Sequence, residues 1–357
     1  MTADAVGGVW TYAVDLARGL SRHDATVTLA VMGPAPSPAQ RAQAEAVPGL
    51  VVEHAAFRLE WVPGADLDVE RAGDWLLGLE RRIGADVVHV NGFAHAALPW
   101  TAPCLLVAHS CVRSWFRAVR QSEAPAEYDA YARRARAGLA AARLVIAPTT
   151  AFLCQLESLY GPLPHGRAIW NGRDSAAALP ILKERLVFGA GRLWDDAKNL
   201  SALDAAAARI DIPVAVAGEA GHAEPGKAQR LGVLDAAEMR RWLARARVFA
   251  LPSRYEPFGL AALEAAQAGC ALVLGDIATL RELWSGAARF VDPDDHAGLA
   301  EALTSLGDDA RAATALDQAA RRRARGFTLR RMTDAYLRSY ATLADGPAAK
   351  PARAAQL

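Results

Sequence analysis

The sequence predicts an α/β protein built from two doubly wound parallel-sheet domains that face each other across a cleft. Three observations point to this fold. Short apolar, β-rich runs alternate with Ala-, Leu- and Arg-rich helical stretches, as in parallel sheets. A Pro/Gly-rich stretch, residues 161–180, separates two such series. At 357 residues, the chain is long enough for two hydrophobic cores.

The apolar runs place the strands in order along the chain. In the first half we predict strands at residues 25–33, 50–57, 86–92, 104–110, 143–149 and 167–172. In the second half we predict them at 185–192, 212–219, 228–234, 246–253, 270–276 and 288–293. The expected organisation is an N-terminal domain (1–172), a linker (173–183), a C-terminal domain (184–328), a helix packing back toward the first domain (329–345) and a disordered tail (346–357).

The start of the chain supplies a turn and a helix but little strand. "MTADAVGGVWTYAVDLARGL" predicts a strand end, a Gly7-Gly8 turn and a helix from about Val9 to Leu20. Only residues 1–4 are left for the strand, although the first strand of a doubly wound sheet is usually central. We therefore expect this strand to be largely missing. Either the chain has lost it or the true start lies upstream, which is the interpretation we favour.

Composition excludes several classes of function. Lys and Arg total 40 against 39 Asp and Glu, so the net charge of +1 gives no footprint for nucleic acid. The four cysteines are scattered without C-x-x-C spacing, which favours a reduced cytoplasmic protein without a disulfide framework or a zinc site. No apolar run of about 18 residues predicts a membrane span, and no secretory signal is visible.

Two features of the first half are candidates for ligand binding. Gly7 and Gly8 precede a helix and can present backbone N–H groups to an anion, although an ordinary tight turn explains this dipeptide more simply. His109 ends the predicted strand "CLLVAHS", at the carboxyl end where open α/β sheets bind ligands. A structural role is the alternative for this histidine. His89 and His95 rank lower because the sequence offers no partner for either.

In the second half, "GAGRLWDDAKNL" (189–200) resembles a dinucleotide fingerprint only in part. Trp194 stands at the third glycine position, which argues against a nicotinamide-type pyrophosphate site. Arg192 and Lys198 instead supply two cations near a strand end, a combination that suits a diphosphate. The alternative is that both cations are solvated and paired with Asp195 and Asp196.

Two glutamates lie eight positions apart in "SRYEPFGLAALEAAQAGC". Pro257 biases Glu256 away from helical geometry, so Glu256 is predicted in the loop that follows a strand. A helix is expected at residues 258–268, on which Glu264 and Gln267 make the only polar stripe. That stripe is either a solvent face or a partly buried one, and a buried carboxylate needs a hydrogen-bonding partner such as a ribose hydroxyl.

Taken together, these segments resemble the retaining glycosyltransferases of family 4, which have the GT-B fold. The resemblance extends over roughly residues 4–345. It rests on the E-x7-E signature at Glu256 and Glu264, on the G-R-L…K-N element at Gly191, Arg192, Leu193, Lys198 and Asn199, and on "APTTAFLCQLESLYG" and "AIWNGRD". The sequence departs from the family at its short first strand and at Trp170, where proline is usual.

The resemblance implies a role for each matched residue. Glu256 would face the donor sugar and the reaction centre, and Glu264 would bind the nucleotide ribose. His109 would contact the transferred sugar. The donor diphosphate would be held by Arg192 and Lys198 with the backbone N–H groups of Gly7, Gly8, Phe258, Gly259 and Leu260. The resemblance further implies transfer of a hexosyl group with retention, without a metal or another cofactor, from a nucleotide sugar to a saccharide, polysaccharide or lipid-linked acceptor.

Two other functions remain open from the sequence. A nucleotide-sugar epimerase of the GT-B type would use a similar cleft, and an inactive nucleotide-sugar-binding protein would fit the short first strand. Weak peripheral contact with anionic lipid is a third, separate expectation, based on the Arg-rich helix with Arg133, Arg134, Arg136 and Arg143. A solvated basic face explains that helix more simply.

Overall fold

A computed structural model describes residues 1–175, 177, 179–221 and 226–344. The chain separates into two compact units. Of the described residues, unit 1 contains 1–114, 123–172 and 329–344, and unit 2 contains those within 115–122 and 173–328. The predicted tail at 346–357 and the linker positions 176 and 178 lie outside the described residues.

The described residues form thirteen strands, and every strand pair is parallel, which confirms the predicted α/β class. Most strands are shorter than the apolar runs that predicted them. In chain order they are β1 (Thr2–Asp4), β2 (Val27–Met32), β3 (Leu50–Ala55), β4 (Val88–Val90), β5 (Cys104–Val107), β6 (Leu144–Ala147), β7 (Gly166–Ala168), β8 (Glu184–Ala190), β9 (Val214–Ala217), β10 (Gln229–Arg230), β11 (Ala246–Leu251), β12 (Ala271–Gly275) and β13 (Arg289–Val291).

Helices alternate with these strands. In chain order they are α1 (Gly8–Ser21), α2 (Pro38–Glu45), α3 (Asp66–Ile83), α4 (Val112–Trp115), α5 (Asp129–Ala141), α6 (Thr150–Tyr160), α7 (Ser201–Ala207), α8 (Ala236–Arg245), α9 (Leu260–Gln267), α10 (Ala278–Trp284), α11 (His296–Asp308), α12 (Ala310–Ala324) and α13 (Leu329–Ala344). Within the part of the chain that the structure describes, no helix has both the length and the apolar character needed to cross a membrane.

Unit 1 contains two parallel sheets, β1-β2-β3 and β4-β5-β6-β7. The short first strand is present, because residues 2–4 pair in register with residues 30–32 of β2. Asn91, which follows β4, makes two hydrogen bonds to Thr2 of β1. Its backbone N–H donates to the Thr2 hydroxyl, and its side-chain amide donates to the Thr2 carbonyl. These two bonds join the two sheets at the start of the chain.

Helix α13 is part of the core of unit 1. Its residues Leu329, Met332 and Tyr336 are buried at helical spacing and pack in one cluster with residues of α1 and β5. The α1–α13 contact is close, because a Cβ built on Gly19 would lie 1.9 Å from the Thr333 hydroxyl oxygen. The last described helix is therefore integral to the first unit of the chain.

Gly138→Ala is expected to destabilise unit 1 by about 1–3 kcal/mol, because the added methyl group would overpack the core. A Cβ at this position in α5 would lie 1.9 Å from the backbone carbonyl oxygen of Phe93, and a backbone atom cannot swing away. Thermal unfolding measures the effect.

Gly78→Ala in α3 is the matched control. A Cβ there meets only the end of the flexible Arg81 side chain at 4.0 Å, so this change should raise stability by ~0.4–1 kcal/mol through its effect on the unfolded chain. Equal shifts in melting temperature for the two variants would contradict the packing described here.

Unit 2 is a single six-stranded sheet with the order β10-β9-β8-β11-β12-β13. The first three strands extend the sheet in one direction and the last three in the other, so the order reverses between β8 and β11. In open α/β sheets, ligands bind at the carboxyl ends of the two strands that flank this reversal. The topology thus singles out the loops that follow β8 and β11.

Candidate functional site

The two loops at the strand reversal of unit 2 carry the charged residues that the sequence singled out. Arg192 and Lys198 lie in the loop after β8, and Glu256 lies in the loop after β11. The Lys198 Nζ and the Glu256 Oε2 are 2.5 Å apart, and their side chains are only 19% and 12% exposed. Lys198 is therefore paired with Glu256, and neither Asp195 nor Asp196 is its partner.

Arg192 makes the ion pair with Asp195 that the alternative interpretation anticipated. Its Nη2 lies 2.5 Å from the Asp195 Oδ2, and its guanidinium stacks over the Trp194 ring at 5.2 Å. The Arg192 Nε is buried and has no hydrogen-bond partner among the described residues. Asp195 thus holds the guanidinium of Arg192, whose side chain is still 36% exposed and can meet an anion.

The backbone around Glu256 is held by bonds from neighbouring loops. Thr279 donates its hydroxyl to the Glu256 carbonyl at 2.6 Å. The Asn199 amide donates to the Pro252 carbonyl at 2.9 Å and to the Pro293 carbonyl at 2.7 Å, which joins the loops after β8, β11 and β13. The loops that carry Lys198 and Glu256 are therefore fixed to each other independently of their ion pair.

Helix α9 follows the second loop and begins two residues later than predicted, at Leu260. Gly259 is its N-cap, with φ +88, a left-handed conformation that glycine adopts at little cost. Because glycine has no side chain to cap the helix, the first N–H groups of α9 lack the side-chain acceptor that a serine or an aspartate would supply. Phe258 lies in the preceding loop and is buried.

Glu264 and Gln267 form a half-buried stripe on α9 and not an open solvent face. The Arg173 guanidinium donates to the Glu264 carboxylate, and the Gln267 amide lies 3.4 Å from the Arg173 carbonyl oxygen. Sequence reasoning missed Arg173. Arg173 directly follows Asn171 and Gly172 in the "AIWNGRD" segment, and this position was the signal that could have revealed it.

In unit 1, Gly7 and Gly8 form the turn between β1 and α1. Gly7 is the N-cap of α1, with φ 100, and Gly8 is the first helical residue. The Asp4 carboxylate accepts from the Val6 backbone N–H at 2.8 Å, which stabilises the turn from the strand side. The short strand thus still supports a glycine turn at a helix N-terminus.

His109 lies just beyond the carboxyl end of β5 and is half-buried. Its Nε2 is 2.8 Å from the Asn91 Oδ1, and the Tyr12 ring meets it edge-on at 4.4 Å between centroids. Burial lowers the pKa of His109 to about 3, so the imidazole is neutral at physiological pH. A neutral imidazole at this position forms hydrogen bonds and does not act as a proton donor to a leaving group.

The two lower-ranked histidines both have partners. His89 Nδ1 lies 2.7 Å from the Tyr340 hydroxyl, its Nε2 lies 3.1 Å from the Asn91 Oδ1, and His95 Nε2 lies 3.1 Å from the Val69 carbonyl oxygen. The expectation that nothing pairs with His89 or His95 was wrong. Tyr340 is 251 residues from His89, so no local pattern reveals that pair.

The sequence matches two known families of glycosyltransferases. Residues 6–176 match the family described as Glycosyltransferase Family 4, and residues 184–309 match the family described as Glycosyl transferases group 1. Together the two matches extend over most of the chain. The chain belongs to these glycosyltransferases.

Known proteins resemble this glycosyltransferase in sequence and in fold. It is 47% identical to the glycogen synthase of Mycobacterium tuberculosis over 95 residues, which is 26% of this chain and 23% of that protein. It superposes on sucrose-phosphate synthase from Thermosynechococcus elongatus with a TM-score of 0.81 at 19% identity, over 96% and 95% of the two chains. For Anabaena HepE in complex with UDP-glucose the TM-score is 0.74 at 16% identity, over 96% and 100%. The predicted GT-B fold is confirmed.

Possible metal ligands in the glycosyltransferase have other partners. In the described residues, no group of three or more His, Cys, Asp or Glu side chains is arranged to hold a metal ion. The "DPDD" segment stabilises backbone: Asp292 accepts from the Asp294 N–H at 2.9 Å, and Asp295 caps α11.

The glycosyltransferase should lose stability as the pH falls below about 6.5. Desolvation by burial holds the pKa of His89 and His109 below the usual 6.5, and that of His109 at about 3. The folded state therefore binds fewer protons than the unfolded state, and the stabilisation present above pH 6.5 is lost as the pH falls toward 3. Urea midpoints at pH 7 and pH 5 measure this.

His109→Gln is the control for that prediction, since it should reduce the pH dependence by the equivalent of about one proton. A midpoint that is constant or rises between pH 7 and pH 5 would show that these imidazoles are not held neutral.

Proposed function

We propose that this glycosyltransferase moves a hexosyl group from a nucleoside-diphosphate sugar to a saccharide, polysaccharide or lipid-linked acceptor. We further propose that transfer proceeds with retention and needs no metal or other cofactor. The observation that carries the proposal is the Lys198–Glu256 ion pair at the strand reversal of unit 2. It places a cation and a carboxylate where an open α/β sheet binds its ligand.

The donor diphosphate would lie against the loop after β8. Arg192 offers its partly exposed guanidinium, Lys198 offers an ammonium, and the N–H groups at Phe258, Gly259 and Leu260 add the positive end of α9. As the glycosidic bond breaks, negative charge grows on the leaving diphosphate. Fixed cations and helix N–H groups stabilise that charge without reorganisation. In other enzymes a bound metal ion stabilises the leaving group in this way.

The two glutamates would have separate roles. Glu264, which accepts a hydrogen bond from Arg173, is proposed to accept from ribose hydroxyls. Glu256 would face the donor sugar, where a carboxylate stabilises an oxocarbenium-like centre as it does in glycoside hydrolysis. Lys198 would then lie between two anions, Glu256 and the diphosphate, and would be shared by both.

For unit 1 we propose donor contacts at Gly7, Gly8 and His109. The N–H groups of Gly7 and Gly8 lie at the N-terminus of the 14-residue helix α1, which suits a phosphate oxygen. His109 is proposed to contact a hydroxyl group of the transferred sugar.

UDP-glucose is the first donor to test, because HepE, which shares the fold, has been crystallised with it. The similarity to glycogen synthase and to sucrose-phosphate synthase supports a hexosyl donor in general.

Because all four cysteines of the chain are free, we propose a reducing, cytoplasmic location. We also propose that nucleic acid is not a partner of this protein. In the Arg-rich helix, Arg134 pairs with Asp66 at 2.6 Å and Arg136 donates to the Tyr160 carbonyl, which leaves less of that face for lipid.

The test is a panel of UDP-, ADP- and GDP-glucose, with thermal stabilisation and release of nucleoside diphosphate as readouts. A transferase is expected to be stabilised by one donor and to release its nucleoside diphosphate when an acceptor is present. Stabilisation without release would favour an inactive binding protein, and a changed donor sugar without acceptor would favour an epimerase. If none of the donors stabilises the protein, the proposal fails.

A further inference from the structure

A buried hydrogen-bonded cluster adjoins His109 in unit 1. It consists of five side chains. They are Tyr12 in α1, His89 in β4, Asn91 just after β4, His109 just beyond β5 and Tyr340 in α13. We call it the His89 cluster. The function proposed above uses only His109, so the purpose of the other four side chains has still to be explained.

The amide of Asn91 is oriented by the first strand. Its Nδ2 lies 2.7 Å from the Thr2 carbonyl oxygen, and its backbone N–H donates to the Thr2 hydroxyl at 2.8 Å. A carbonyl oxygen can only accept, so the NH₂ group of Asn91 must face Thr2. The reversed amide would place two acceptors against each other. Consequently the Asn91 Oδ1 faces His89 and His109.

The orientation of Asn91 determines where the protons of both imidazoles lie. The Asn91 Oδ1 carries no hydrogen, so the His109 Nε2 at 2.8 Å and the His89 Nε2 at 3.1 Å must each donate to it. A neutral imidazole has one N–H, so the Nδ1 of each ring is an acceptor. For His89 this agrees with the Tyr340 hydroxyl at 2.7 Å from Nδ1, which can donate.

We propose that Asn91 is a positioning residue that fixes His109 in the Nε2–H tautomer, so that its Nδ1 accepts a hydrogen bond from a ligand hydroxyl. Among the described residues no partner engages the His109 Nδ1. Because the ring is neutral, no proton is transferred: the ligand hydroxyl donates and His109 accepts. The identity of the ligand as a sugar rests on the proposed function, whereas the tautomer rests only on Thr2 and Asn91.

The test measures the tautomer directly in the full chain without any nucleotide sugar. In [¹⁵N]histidine-labelled protein at pH 7, long-range ¹H–¹⁵N correlation distinguishes protonated from unprotonated ring nitrogens, and His109→Gln assigns the signals. We expect His109 to show a protonated Nε2 and a bare Nδ1. A protonated Nδ1 in the wild-type protein would overturn the inference, whatever the protein binds.

Variants of Asn91 separate positioning from packing. Asn91→Asp loses the NH₂ donor to the Thr2 carbonyl and places a negative charge beside both imidazoles, so the His89 and His109 signals should move toward the doubly protonated form. Asn91→Leu removes the acceptor, and the His109 signals should move to a mixture of tautomers. In activity assays Asn91→Leu should lower kcat while the Kd for UDP stays unchanged. Should Asn91→Leu not fold, the wild-type spectrum and Asn91→Asp still decide the question.

Tyr340→Phe is the matched control in the same cluster. It removes the donor to the His89 Nδ1 but leaves the Asn91–His109 bond intact, so only the His89 signals should change. A change at His109 of the same size would mean that Asn91 alone does not fix the tautomer. Failure of all donors to bind would refute the proposed function and leave this result untouched.

Discussion

Lys198→Ala should slow sugar transfer by about a hundredfold or more, which corresponds to ~2.7 kcal/mol of lost transition-state stabilisation. The Lys198 ammonium is the one partner the structure shows for the Glu256 carboxylate among the described side chains, at 2.5 Å, and both side chains are largely buried. Removing it would take away a cation proposed to stabilise the leaving diphosphate and would leave Glu256 without its counter-ion. Steady-state kinetics with UDP-glucose and calorimetry with UDP should show loss of rate together with weaker UDP binding.

Lys227→Ala is the matched control for this variant. Lys227 is an exposed lysine of the same unit, so its removal changes the net charge equally without touching the two loops at the strand reversal. Its rate and its UDP affinity should equal those of the wild-type protein. Equal rates for Lys198→Ala and Lys227→Ala would refute the role assigned to Lys198.

Glu256→Gln should lower kcat by about a hundredfold while UDP binds at least as tightly as before. The variant loses the carboxylate that we propose faces the reacting sugar, so the transition state should lose stabilisation. Lys198, no longer neutralised by Glu256, is then free to interact with the diphosphate. The two variants thus lower the rate alike, but only Lys198→Ala weakens UDP binding.

Glu301→Gln, an exposed substitution on α11, controls for the change of charge and should leave both quantities unaltered. Weaker UDP binding in Glu256→Gln would mean that this carboxylate holds the nucleotide and does not face the sugar.

Much of the fold could be predicted because the central strands are buried and therefore continuous in apolar residues. The runs around β5, β6, β8, β11 and β12 stand out in the sequence, and all five strands are buried over most of their length. Boundaries were less accurate. Helix α9 begins at Leu260 and not at Phe258, because Gly259 takes a left-handed conformation that ends the preceding loop. Only the backbone angle at Gly259 reveals that.

The site could be predicted where its residues are close in sequence. Glu256 and Glu264 share one loop and helix, and Arg192 and Lys198 share another loop, so local spacing was enough to find them. Pairs across distant segments were missed. Arg173 meets Glu264 from 91 positions away, and Tyr340 meets His89 from 251. Such contacts are set by the strand order, which local periodicity does not encode.

Release of nucleoside diphosphate from UDP-, ADP- and GDP-glucose, measured in excess chelator with the acceptor mixture present, tests the central claim most directly. The protein is expected to consume one of the three donors at a rate that the chelator does not change, and Lys198→Ala should reduce that rate by about a hundredfold. Complete dependence on added divalent metal, or an undiminished rate in Lys198→Ala, would contradict the account.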